Sequence, residues 1–526
     1  MADTASFSLK AQLAQIVGPD FVQDDEKLRA LMSEDIWSRG GMASLVVAPG
    51  DLDEASRAVA VAARNGAAIL PRGGGMSYTG GYAAKEAGGV VFDMRRMNKI
   101  LSIDETNMTV TVQAGATWAA LHEALKSRGL RTPFWGPLSG ISSTIGGGLS
   151  QNNAFFGAGQ YGTTAESVVS ITVVLADGTV LRTGAAARAG GAPFYRFDGP
   201  DAAGLFMGDC GAFGLKAEAT FRLIRAPEHE GWASFSFAQP EPCARAMAEV
   251  ARAGLACEAF GFDPALARLR LKRASLLADA GALAKVVTSQ KSVLAGLKEG
   301  AKMALAGRSF LDEGDYSLHV VAEGRSRAGV DHDLAAIRAI VKTHGGEEVE
   351  NTIPKVIRAN PFTPLNNVLG PEGERWVPIH GIVRLGDAAA CWSALDAAFA
   401  ARRAALDAIG ATTGYLITTL STNAFLIEPV FFWPEERFAL HEATVEPHYL
   451  AKLPKLSANP AATDIIVATR QDILDVFQRF GAAHFQVGRT YPFAQTRAPE
   501  ALATLRALKR AVDPENRMNP GVLGLS

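Results

Sequence analysis

The feature that most restricts this chain is the run Pro71-Arg72-Gly73-Gly74-Gly75-Met76-Ser77, followed after Tyr78-Thr79 by Gly80 and Gly81. Five glycines in nine positions cannot prolong a helix or a strand, so the backbone must turn there, directly after the apolar segment AAIL at 67–70. Without Cβ atoms, consecutive backbone N–H groups can converge on an anion, and a neighbouring hydroxyl adds a donor. Two further clusters repeat the pattern, Ser143-Thr144-Ile145-Gly146-Gly147-Gly148 and the stretch from Gly208 to Gly214. Two such loops from separate strands can clamp a diphosphate. The stretch Gly157-Ala158-Gly159-Gln160-Tyr161-Gly162 spells G-x-G-x-x-G, but it follows polar SQNNAFF and leads to a hairpin. A dinucleotide fingerprint needs a strand before it and a helix after it, so this match is set aside.

LVVAP at 45–49, a helix over 52–65 and AAIL form a β-α-β unit that feeds the first glycine loop. VVFDM (90–94), MTVTVQA (108–114) and a helix over 117–129 follow, then a hairpin over 170–184 turning at Asp177-Gly178. After Leu223 the turn-rich IRAPEHEG predicts a boundary, giving a first domain at 1–226. The second, 227–498, combines strands at 232–238, 317–321, 377–385 and 415–433 with helices at 328–344 and 387–409, and a helical insertion at about 266–308. This pattern predicts an α+β fold whose second domain has an antiparallel sheet. A tail, 499–526, is helical to about 518 and returns to the first domain.

A chain of 526 residues has room for two or three domains. With 52 basic and 54 acidic residues it has no overall field to attract nucleic acid. Cys210, Cys243, Cys257 and Cys391 show no CxxC spacing and read as buried thiols in a reducing compartment. The opening MADTASFSLKAQ has no signal-like pattern, and no unbroken apolar run reaches about 18 residues, so a cytoplasmic protein is expected. The segment 266–308 carries nine basic residues against Asp279 and Glu299. It reads as a solvated helix, or as a docking patch for an electron acceptor or the membrane surface, which would make the protein peripheral to the inner membrane.

Taken in order, PRGGGMSYTGG, GGVVFDMRRMNKILSIDETNMTVTVQAGATWAALHEAL, STIGGGLSQN, YGTTAESVVSITVVLADGTVLRTG, GDCGAFGLKAEATFRL and LKRAVDPENRMNPG resemble the vanillyl alcohol oxidase/p-cresol methylhydroxylase (PCMH) flavoprotein superfamily. STIGG with VVLADG is most similar to its D-lactate dehydrogenase/glycolate oxidase branch. The resemblance implies a two-subdomain PCMH-type FAD-binding domain and an α+β substrate (cap) domain. It implies that Gly73, Gly74, Gly75, Met76 and Ser77 hold the pyrophosphate of FAD, with Gly80, Gly81, Pro137 and Gly162 beside them. Ser143, Thr144, Gly147 and Asn152 would form the second loop, Gly214 and Leu215 would border the adenosine end, and Asn519 would close on the flavin from the tail. Where relatives link flavin through a histidine after the glycine pair, this chain has Met76, which implies non-covalent FAD; His380 is the alternative anchor.

The substrate side departs from the branch. Metal-assisted hydroxy-acid dehydrogenases carry H-x-x-G-D-G-N-x-H, whereas Thr418-Thr419-Leu420-Ser421-Thr422-Asn423 has no histidine. Ala482-Ala483-His484-Phe485-Gln486-Val487-Gly488 keeps the histidine of E-H-G-I-G without its glutamate, so no metal is expected. The phenol-oxidising branch uses two tyrosines and an arginine, for which Tyr78, Arg489 and Tyr491 are the candidates. His484 is the expected base, since an unperturbed pKa of about 6.5 suits proton removal at neutral pH. His380 and Tyr491 are its alternates, and Arg358, Arg384 and Arg489 are candidate carboxylate forks. The resemblance implies hydride transfer from a CH–OH substrate, a 2-hydroxy acid, to flavin; the alternative is a para-substituted phenol. Expected partners are this small molecule, an electron acceptor and a further copy of the chain, and not nucleic acid.

Overall fold

In the computed structural model, which describes residues 8–276 and 315–525, the first glycine loop leaves the end of the strand Ile69–Arg72. That strand and Leu45–Val47 flank Val90–Asp93 in parallel, and Val22–Gln23 adds an antiparallel edge. The crossover helix, Leu52–Arg64, starts where the Asp51 carboxylate accepts the Glu54 N–H at 2.9 Å. Ala55, Ala58, Val59 and Ala62 recur at helical spacing and form its buried stripe.

A second, antiparallel sheet runs in the order Ile100–Asp104, Thr109–Gln113, Leu215–Arg222, Val168–Val174, Val180–Arg182. Its hairpin turns at Asp177-Gly178 as predicted: Gly178 has φ +91°, and Asp177 accepts the Thr179 N–H at 2.8 Å. Val174, Leu215 and Ala217 of this sheet complete the apolar core of the first.

The third sheet has eight strands, all antiparallel: Glu347–Val349, His229–Phe237, Tyr316–Gly324, Glu258–Phe262, Thr412–Leu420, Ala424–Trp433, and then both Arg375–Pro378 and Gly381–Arg384 on that last long strand. Helices Pro240–Arg252, Arg327–Thr343, Ala388–Ala408 and Pro460–Arg479 share its larger core. Phe260, Phe262, Leu416, Val430 and Phe432 instead pack against Trp135, Phe155 and Phe156 of the first half. The mixed helix and strand content and the antiparallel sheet agree with the α+β expectation.

Three local details differ from the sequence expectation. The single strand over 377–385 is two, broken at Ile379-His380, because the His380 N–H is given to Tyr491 Oη at 2.8 Å. The terminal helix, Pro499–Val512, ends before 518, where Asp513 accepts the N–H groups of Arg517 and Met518, both at 2.8 Å. The basic insertion at 266–308 begins within the helix Pro264–Leu276, and its remainder, 277–308, lies outside the described residues. All four cysteines are buried and free.

The two halves meet through buried charges. Arg131 forks onto Glu323 at 2.6 and 2.8 Å, Arg358 pairs with Glu258 at 2.7 Å and also with Glu323, and Glu258 accepts the Gly157 N–H at 2.6 Å. Removing one member would strand a buried charge, costing about 3–5 kcal/mol.

Candidate active site

A cleft runs from the glycine loops to the face of the eight-stranded sheet and encloses about 1600 Å³ of empty space, its open mouth included. The two loops touch: a Cβ on Gly74 would sit 1.8 Å from the Ser142 carbonyl oxygen, and one on Gly73 would sit 2.1 Å from Thr144 Oγ1. Among the described residues, the backbone N–H groups of Gly74, Gly75, Met76 and Ser77 have no protein acceptor. Arg72 Nε, buried at the head of the loop, has no hydrogen-bond partner either. Buried donors left unsatisfied are costly, so this cradle is suited to the phosphate oxygens of FAD.

Of the residues expected at the cofactor, Gly73, Gly74, Gly75, Met76, Ser77 and Gly81 line the cleft from the first loop. Pro137, Ser143, Thr144, Gly147 and Leu215 line it from the other elements. Gly80, Asn152, Gly162, Gly214 and Asn519 are not among the residues that line it. Asn152 is left-handed, with φ +50°, and accepts the Ala165 N–H, while Gly162 leaves space for Glu166, whose Oε1 would lie 1.9 Å from a Cβ. Asn519 forms a clasp: its Nδ2 donates to the Gly81 and Cys210 carbonyls, each at 2.6 Å. Arg489 completes the clasp, donating to the Gly80 carbonyl at 2.6 Å, to Asn519 Oδ1 at 2.7 Å and to the Pro520 carbonyl at 2.8 Å.

None of His484, His380, Tyr491 and Arg489 lines the cleft. His484 stacks on Tyr491 at 4.2 Å, its Nδ1 bonds the His380 carbonyl at 2.8 Å, and burial pulls its pKa down to about 4. His380 is fully buried against the Phe485 ring, 4.0 Å away, with its pKa pulled down to about 3 by burial. The candidate forks are also engaged: Arg358 in the buried network, Arg384 exposed beside Asp387, Arg489 in the clasp. Of the three phenol-clamp candidates only Tyr78 reaches the cleft.

The residues that do line its far end are Tyr78, Glu428, Gln486 and Arg270, the last three not anticipated. Glu428 lies on the strand Ala424–Trp433, opposite Leu416, and the two-residue period of that strand turns Leu426, Glu428, Val430 and Phe432 to the same face. It is half-buried, with burial pushing its carboxyl up to about 7 and the Arg270 guanidinium opposing that rise. The Tyr78 hydroxyl bonds the Gln486 side chain, while burial and the Glu428 charge hold its pKa well above normal. Gln486 is held at φ +51°, its own N–H bonded to the Gln151 carbonyl at 2.7 Å. Arg270 lies over the Phe262 ring at 4.0 Å. Among the described residues no group of three or more His, Cys, Asp or Glu could hold a metal ion. No helix among them is long and apolar enough to cross a membrane.

Comparison with known proteins agrees with the cradle. Residues 43–184 match the family described as the FAD binding domain, and residues 489–523 match the C-terminal domain of FAD linked oxidases. Glycolate oxidase subunit GlcD of Bacillus subtilis is 36% identical over 221 residues, 42% of this chain and 45% of that one. A probable mitochondrial D-lactate dehydrogenase of Danio rerio is 31% identical over 212 residues, 40% of this chain and 41% of that one. The matched stretch thus spans less than half the length of these relatives. A crystal structure of p-cresol methylhydroxylase with substrate bound superposes with a TM-score of 0.72, covering 98% of this chain and 96% of that one at 18% identity, a likeness of fold.

Proposed function

We propose that this chain, an FAD-binding flavoprotein of the vanillyl alcohol oxidase/p-cresol methylhydroxylase superfamily, oxidises the CH–OH group of a 2-hydroxy acid with Glu428 as the base. The observation that carries this is the one carboxylate among the described residues that line the cleft, Glu428, which burial pushes up to about 7, on a surface continuous with the cofactor cradle. FAD, when held at the glycine loops, supplies a two-electron acceptor for the hydride.

The protein's own groups do the rest. With its carboxyl pushed up to about 7 by burial, Glu428 can take the hydroxyl proton as the C–H bond breaks. Arg270 offers a guanidinium fork to the substrate carboxylate. Tyr78, fixed by Gln486, presents a neutral hydroxyl beside Glu428. Leu416, Leu426 and Phe485 keep water from these groups, which strengthens each interaction. The proposed domains are 1–226, 227–498 and 499–526, with FAD non-covalent beside Met76 and electrons leaving to an acceptor met by the basic segment 266–308. Cytoplasmic or peripheral inner-membrane placement and self-association belong to the same proposal.

Anaerobic mixing of the FAD-loaded protein with D-lactate, glycolate, 2-hydroxyglutarate and longer 2-hydroxy acids should bleach the flavin absorbance. Bleaching by 4-alkylphenols alone would replace this function with the phenol alternative.

A further inference from the structure

The strand positions around Glu428 define more than a base. Leu416 faces it directly across the ladder, and Leu426 lies two residues along on the same face. On the other flank Trp376 pairs with Phe432 and meets the Tyr78 ring edge-on at 5.7 Å. Phe485 also lines the cleft. Leu416, Leu426 and Phe485 are buried, whereas Trp376 is half-exposed and lines the cleft.

Two polar groups on this wall are already committed. Thr418 Oγ1 donates to the Ala259 carbonyl at 2.9 Å, and the Gln486 side chain holds the Tyr78 hydroxyl. Among the described residues that line the cleft here, Tyr78, Glu428 and Arg270 are ionisable. A two- or three-carbon acid held by them would leave water against the indole of Trp376 and the two leucines, which is unfavourable.

We infer that the substrate is a 2-hydroxy acid with a bulky apolar side chain, aromatic or branched, seated against Trp376, Leu416 and Leu426. This rests on the proposed function, and it assigns those three residues to specificity rather than to proton transfer. Binding energy gained by the remote side chain is available at the reacting carbon, so truncated substrates should lose turnover as well as affinity.

The test separates binding from reaction in the FAD-loaded protein. Titrating the flavin absorbance with phenylacetate and with acetate, which have no hydroxyl to oxidise, should show phenylacetate binding roughly 10- to 150-fold tighter, the worth of burying one aromatic side chain. Trp376→Ala and, separately, Leu416→Ala should shrink that ratio severalfold. Anaerobic flavin reduction should favour 3-phenyllactate over lactate by a similar factor. Equal binding of the two inert acids in the wild-type protein, or equal reduction by lactate and 3-phenyllactate, would overturn the inference. Tighter phenylacetate binding with no hydroxy acid oxidised would keep the apolar subsite and refute the proposed function. Benzyl alcohol binding as tightly as phenylacetate would refute the carboxylate requirement.

Discussion

Glu428→Gln keeps the size and shape of the side chain and removes only its ability to accept a proton. If Glu428 is the base, anaerobic flavin reduction should slow by about 10²–10⁴, the usual worth of a positioned general base. The wild-type pH profile makes the expectation sharper. With a carboxyl that titrates at about 7, roughly 10% is ionised at pH 6 and roughly 90% at pH 8, so kcat/KM should rise about tenfold between them. A carboxyl at the ordinary value of about 4.3 would give less than a 5% change over that range. Arg270→Gln removes the cation that favours the carboxylate and should move the midpoint upward. Stability gives an independent sign. Because burial raises this pKa in the folded state, Glu428 contributes most when protonated, below the unfolded value of about 4.3, and loses that contribution as pH rises through about 7. Glu428→Gln should therefore raise Tm more at pH 8 than at pH 5. Stopped-flow reduction and thermal melts across pH 5.5–8.5 measure both effects. A variant within threefold of wild type, or a flat wild-type profile from pH 6 to 8, would refute the assignment.

His484→Ala should change flavin reduction by less than about threefold while lowering Tm, because the ring packs on Tyr491 outside the cleft; a hundredfold loss would restore His484 as the base. Gly74→Ala places a methyl group 1.8 Å from the Ser142 carbonyl oxygen, so the purified variant should be folded by circular dichroism and depleted of FAD; full flavin occupancy would refute the cradle. Acid precipitation of the loaded protein should leave the yellow colour in the supernatant, since Met76 lines the cleft and His380 does not; a yellow pellet would show a covalent link.

The glycine loops were readable because their constraint is local: backbone without Cβ atoms, packed loop against loop, is written into the residue type itself. The Asp177-Gly178 hairpin was readable for the same reason. The partners of Arg358 were not, since Glu258 and Glu323 stand 100 and 35 residues away and meet it only after two strands and a helix assemble. His484 shows a different limit. The right segment was found, but Ala483 bridges Ile382 in extended backbone, and Phe485 and Gln486 reach the cleft where His484 does not. Glu428 did leave a trace in the sequence, as the lone carboxylate in AFLIEPVFFW, a strand with no other charge. Only the register of the sheet reveals that this carboxylate faces the cleft rather than solvent.

The clasp of Arg489 and Asn519 on the glycine loop has a consequence for biogenesis. Asn519 binds the Gly81 carbonyl across a separation of 438 residues. During synthesis the loop therefore emerges hundreds of residues before the groups that fasten it, and ribosome-bound chains lacking the tail hold an unfastened cradle. Fastening of the cradle then follows synthesis of the tail that carries Arg489 and Asn519.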